Sequence, residues 1–193
     1  MTPNFKSLTL RPWLSLALVA LILLTRFKHE GSATALPDAT LAAFFLAGMW
    51  IASGWLFGIL LAVAALADQM AFAAGVSDWC VTAAYAFLIP TYGAMWWGGK
   101  LCRDVNLATW QGALGVLAAV VGSSIVAFAI SNGSFFWLSG YFPNMSLVEY
   151  WSRTIKYFPW YMGWAAVYVT AACAIAVVSR LMQRPRAAAL DAR

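Results

Sequence analysis

Histidine is nearly missing from this 193-residue chain, with a single copy at position 29, and that scarcity removes several chemistries at once. No His-Glu-x-x-His pair can hold a zinc ion, a bis-histidine haem is excluded, and His29 itself reads as a solvated loop residue. Charge is scarce too: 12 Lys and Arg against 7 Asp and Glu make up only 10% of the residues. The Gly98-Gly99-Lys100-Leu101 run lacks the hydroxyl residue and the upstream glycine of a phosphate-cradling loop, so this chain has no ATP site of its own. A Gly-x-Ser-x-Gly nucleophile elbow, an internal repeat and a second soluble domain are all absent, and Ala187–Ala189 is the one low-complexity tract. The formal charge of +5 is no nucleic-acid signal, because Arg180, Arg184, Arg186 and Arg193 supply most of it and read as an anchor against anionic lipid.

What remains is apolar: 63% of the residues, with a mean hydropathy of +0.77. No soluble domain of this size needs that much apolar surface. A hydrocarbon core about 30 Å thick takes roughly 20 helical residues per crossing. The expectation is an all-α integral membrane bundle, one transmembrane domain over 1–193, with six spans near 12–27, 37–53, 55–74, 79–97, 107–131 and 147–180. Breakers mark the boundaries at Gly31 to Pro37, Ser53-Gly54, Gly75 to Asp78 and Gly98-Gly99. Ala39 to Ala67 can also be read as one tilted helix of 29 residues, and the last span is over-long, as if it began with an interfacial turn.

Orientation follows from lysines and arginines near span ends. With six spans and both termini inside, eight basic residues are cytoplasmic (Lys6, Arg11, Lys100, Arg103, Arg180, Arg184, Arg186, Arg193) against four outside (Arg26, Lys28, Arg153, Lys156). In a bacterium this is the inner membrane. A rival reading makes residues 1–35 a cleaved signal peptide ending at Ala33-Thr34-Ala35, although Arg26 to Glu30 fits such a peptide badly.

Among three cysteines, Cys102 falls in a cytoplasmic loop and Cys173 within the last span, both as inert thiols, whereas Cys80 faces the exterior. The order Ser77-Asp78-Trp79-Cys80 predicts a cap at Ser77 or Asp78 and Cys80 in the first turn of the fourth span. There the helix dipole favours a thiolate, the form that attacks electrophiles and binds metals, while a charged Asp78 opposes it. A small cysteine that merely packs is the plain alternative. Helical spacing sets Ala83, Ala84 and Phe87 on the face of Cys80, leaving room for something broad and flat, with Tyr85 about 140° around the wheel and Pro90 available to kink the span.

Eleven aromatic residues fall within residues 132–161, read as an exterior loop and the start of the last span. They suit an apolar macrocycle or an interfacial belt. Asp68 and Arg153, ionisable near membrane depth, either pair with each other or touch a ligand. Asn132-Gly133-Ser134 and Asn144-Met145-Ser146 match glycosylation sequons by chance.

Leu36-Pro37-Asp38-Ala39-Thr40 leading into Phe44-Phe45-Leu46-Ala47-Gly48, followed by Ser77-Asp78-Trp79-Cys80, resembles the BtuM family of bacterial cobalamin transporters over essentially the whole chain. That family is related to the substrate-binding subunits (S-components) of energy-coupling-factor transporters. The resemblance implies a pocket on the periplasmic side, Cys80 as axial ligand to the cobalt of a corrinoid, and Asp68, Tyr85 and Arg153 lining or supporting that pocket. Relatives carry an Ala-x-x-x-Ala motif on the first span; here Ala17 is followed four residues on by Leu21, so docking to a shared ATP-driven partner is open and solitary action is admitted. A thiolate on cobalt displaces the benzimidazole of the vitamin, predicting base-off binding, and its electron donation predicts loss of the cyanide of cyanocobalamin. Three other readings stay open: a membrane enzyme with Cys80 as nucleophile, which needs a base within reach, an S-component-like transporter for another vitamin, and a structural subunit.

Overall fold

Thr40–Trp50 is an eleven-residue helix, apolar on every side, and such a helix has to be enclosed on every side. That enclosure organises the computed structural model, which describes residues 12–26 and 36–190, with side chains through residue 182. His29, Lys6, Arg11, Lys28 and the Ala33–Ala35 cleavage site lie outside the described residues, as do the side chains of Arg184, Arg186 and Arg193.

The helices are α1 (Pro12–Arg26), α2 (Thr40–Trp50), α3 (Gly54–Ala73), α4 (Leu88–Leu101), α5 (Trp110–Leu138), α6 (Leu147–Thr154) and α7 (Phe158–Leu190), with 3₁₀ turns at Ala83–Phe87 and Ile155–Tyr157. No strand occurs among the described residues. α2 is packed by α1, α3, α4 and α7, α5 covers the far side of α4, and α1 lies along α3. The closest approach is between α2 and α4. A Cβ on Gly48 would collide with the Trp96 carbonyl, and one on Gly99 with the Phe45 carbonyl. Two glycines facing opposite backbones let these helices meet main chain to main chain, while Phe44 stacks on Tyr92 at 4.5 Å between ring centroids.

Three segments are long and apolar enough to cross a membrane: α3, α5 and the stretch Leu147–Met182 that joins α6 to α7. Of the remaining expected spans, the second is shorter than drawn and the fourth is shifted. α1 is helical over its described residues 12–26, and α2 has 11 residues, so at about 1.5 Å per residue α2 does not cover a full hydrocarbon core alone. The fourth span begins and ends four residues later than expected, at Ala83 and Leu101. Between α2 and α3 the chain does break. Ala52 adopts a φ of 52°, and the Ser53 side chain accepts the Leu56 N–H, which caps α3. α3 ends where Gly75, at φ 94°, lets the Val76 N–H reach the Ala71 carbonyl and the Gly75 N–H reach that of Phe72.

The aromatic stretch differs from its expected loop. α5 continues through Asn132, Gly133 and Ser134 to Leu138, so Phe135, Phe136 and Trp137 are helical. Asn132 and Ser134 spend their side chains on the Phe128 and Ser131 carbonyls within the same helix, and so do not break it. The over-long last span does open with an interfacial-type element: α6 carries Glu149 in its first turn and Arg153 in its last, and the 3₁₀ turn joins it to α7.

Candidate functional site

Arg26 ends the buried stripe Leu14, Leu18, Ile22, Thr25 of α1, and Asp68 continues the buried stripe Leu56, Leu60, Ala64 of α3. Two ionisable groups on apolar stripes have to find each other or stay unsolvated at a cost of several kcal/mol (order of magnitude). They meet in a fork. Arg26 Nε donates to Asp68 Oδ1 at 2.6 Å and Nη2 to Oδ2 at 2.8 Å, with side chains only 8% and 7% exposed. The third arm, Nη1, donates to Asp38 Oδ2 at 3.1 Å and to Thr40 Oγ1 at 3.3 Å. Tyr85 Oη adds a 2.6 Å hydrogen bond to Asp68 Oδ2, and the guanidinium lies 5.9 Å from the centroid of the Tyr92 ring.

The same network fastens the chain entering α2. The Ala39 N–H donates to Thr25 Oγ1, and Tyr168 Oη of α7 donates to the Pro37 carbonyl at 2.8 Å. α1, α2, α3, α4 and α7 are thus tied at one end of the bundle, the end that also carries Cys80.

Cys80 is exposed, but it is not in a helix. The Val81 N–H closes a turn onto the Asp78 carbonyl at 2.7 Å, and Thr82 is extended (φ −127°, ψ −178°). The cap is Thr82, whose Oγ1 accepts the Ala84 N–H, so helical backbone starts three residues after the sulfur. The dipole argument for a thiolate therefore falls, and Ala83, Ala84 and Phe87 share no helical face with Cys80. The turn is held from the other side: Trp79 stacks on Tyr141 (4.7 Å, 7°), meets Phe135 edge-on, and its carbonyl accepts the Tyr141 hydroxyl at 3.1 Å.

Tyr85 and Asp68 are brought together; Arg153 is not. The expected Asp68–Arg153 pairing is replaced on both sides: Asp68 holds Arg26, and Arg153 Nη2 holds Glu149 at 2.6 Å on the outside of α6. The two are 65% and 46% exposed, one helical turn apart, where a pair is worth only about 0.3–0.5 kcal/mol. Arg26 and Asp38 were missed by sequence reasoning because Arg26 sits at a span end and reads as an orientation charge. Asp68, alone in an apolar helix, was the signal that a cationic partner had to exist. Cys102 and Cys173 join the same apolar core rather than separate surroundings. Burial pushes the Cys102 thiol up, away from reactivity.

Two cavities flank α4 at its Leu88–Tyr92 end. One, about 290 Å³, is lined by Arg26, Tyr85, Leu61, Ala65 and Ile89; the other, about 270 Å³, by Asp38, Thr91, Ser131, Trp160, Tyr161 and Trp164. Cys80 lines neither. Among the described residues no three His, Cys, Asp or Glu side chains cluster as a metal site. No protein-family model matches the chain, and no curated protein shows significant similarity to it.

Proposed function

We propose that this protein binds cobalamin or a related corrinoid at the Cys80 end of the bundle and serves its uptake across the bacterial inner membrane. In this reading that end faces the periplasm, the termini are cytoplasmic, six helical segments form an S-component-like bundle, and the Cys80 sulfur is the axial ligand to cobalt. One observation carries it: the exposed thiol sits on a turn braced by stacked aromatic rings, at the end of the molecule where the cavities and the buried Arg26–Asp68–Tyr85 network lie.

A metal already held by a macrocycle needs one further protein donor, and thiolate sulfur is a strong one. Cys80 is exposed and lies on a turn outside any helix, so on binding cobalt its thiol would give its proton to solvent. Each cavity is below the usual size of a small-molecule pocket, about 300–1,000 Å³, so a corrin ring would stay outside them and only its substituents would enter. Tyr85, fixed by its hydrogen bond to the buried Asp68, would then form part of the wall that the ligand meets. Sulfur bound to cobalt would take the place of the vitamin's benzimidazole, and its electron donation would favour heterolytic loss of cyanide from cyanocobalamin, the electron pair leaving on cyanide and water taking its place with no change of oxidation state.

The test is the absorbance spectrum of the purified protein after incubation with cyanocobalamin. The expected result is a base-off spectrum lost in Cys80→Ala. A free-vitamin spectrum, or equal spectra for both proteins, refutes the reading. Growth rescue of a cobalamin-uptake mutant by this gene alone would show that no energising partner is required.

A further inference from the structure

Tyr161 of α7 is half-buried, and its hydroxyl oxygen, itself out of reach of solvent, has no hydrogen-bond partner. A buried donor left in that state has lost its water without a replacement, so it calls for a reason. Tyr161 lines the 270 Å³ cavity together with Asp38, whose side chain stays 29% exposed although Arg26 Nη1 holds its Oδ2 and the Thr40 N–H and hydroxyl both donate to its Oδ1. Trp160 and Trp164 supply flat apolar wall.

We propose that this cavity recognises a primary carboxamide carried on an apolar or aromatic body. The Tyr161 hydroxyl donates to the amide carbonyl, the amide N–H₂ donates to the Asp38 carboxylate, and the indole rings of Trp160 and Trp164 take the body. A cation is the weaker match. Asp38 already has the Arg26 guanidinium at 3.1 Å, which repels a second positive charge, and an ammonium gives up far more hydration on entering an apolar cavity than a neutral amide does. A carboxylate ligand would face Asp38 and is repelled. The proposal deepens the corrinoid reading, since corrinoids carry peripheral carboxamides, but it makes no use of cobalt or of Cys80.

The experiment is a tryptophan-fluorescence titration of the full chain in nanodiscs with benzamide, benzylammonium and benzoate. Benzamide is expected to bind most tightly of the three, and Tyr161→Phe, which removes one oxygen and keeps the ring, to weaken it about tenfold. Benzylammonium or benzoate binding as tightly as benzamide overturns the proposal, as does Tyr161→Phe binding benzamide unchanged while retaining wild-type helicity. The two readings fail separately. Benzamide binding with no spectral response to cyanocobalamin sinks the corrinoid reading alone, and a spectral response without benzamide binding sinks this one alone.

Discussion

Replacing Arg26 with methionine keeps most of the apolar stem and deletes the charge, which strands the buried Asp68 carboxylate. Asp68 loses both arms of its fork, keeping only the Tyr85 hydroxyl, and Asp38 loses Nη1. With side chains 8% and 7% exposed, the Arg26–Asp68 pair belongs to the class in which removing one partner costs about 3–5 kcal/mol. At roughly 2–4 °C per kcal/mol for a chain of this length, the melting temperature falls by about 6–20 °C. Tyr85→Phe is the graded control. It removes one hydrogen bond to a charged group, worth about 1.5–3 kcal/mol, and leaves the fork intact. In the double variant Arg26→Met, Asp68→Leu the stranded charge on α3 is gone, so part of the loss returns. Tryptophan-fluorescence melting in detergent reads all three. A shift below about 2 °C for Arg26→Met, or a larger shift for Tyr85→Phe than for Arg26→Met, refutes a load shared between α1 and α3.

Gly99→Ala and Gly48→Ala force a Cβ into a facing carbonyl and lower stability by about 1–3 kcal/mol, whereas Gly115→Ala and Gly122→Ala meet open space and stabilise by up to about 1 kcal/mol; melting temperatures separate the pairs. A membrane-impermeant maleimide applied to intact cells labels Cys80 but not the buried Cys102, and Cys80→Ser abolishes the signal; persistent labelling of Cys80→Ser contradicts the assigned orientation and burial. Arg153→Ala shifts the melting temperature by less than about 2 °C, because its partner Glu149 is exposed on the same helix turn. A cobalamin titration then reads whether Arg153 touches the ligand, and unchanged affinity removes it from the site.

The parts of the fold legible in the sequence are those decided by local chemistry. Ser53-Gly54 announces a cap and a break, Gly75 a helix stop, and the composition a bundle in an apolar environment. Misreadings came where two local signals compete. Ser77-Asp78 looks like a cap, yet the cap is Thr82, with β-branched Val81 beside it and an extended backbone between sulfur and helix. Asn132-Gly133-Ser134 looks like a break, yet its polar groups are satisfied inside α5. The ion network was out of reach for another reason. Arg26 and Asp68 are 42 positions apart, and which carboxylate an arginine meets depends on how α1 lies along α3. Tyr85 was put near Asp68 only by the resemblance, and its hydroxyl meets Asp68 by way of a 3₁₀ turn rather than a helical face.

The stack of Trp79 on Tyr141 joins residues 62 positions apart, one preceding the sulfur and one following α5. Any rearrangement of the short connection between α5 and α6 is therefore transmitted to the reactive atom, like a latch whose handle lies on a different part of the door. Under the proposed corrinoid reading, release of the ligand from Cys80 would not have to wait for the bundle to open. Unstacking a single aromatic pair, worth about 0.5–1.5 kcal/mol, already loosens the grip.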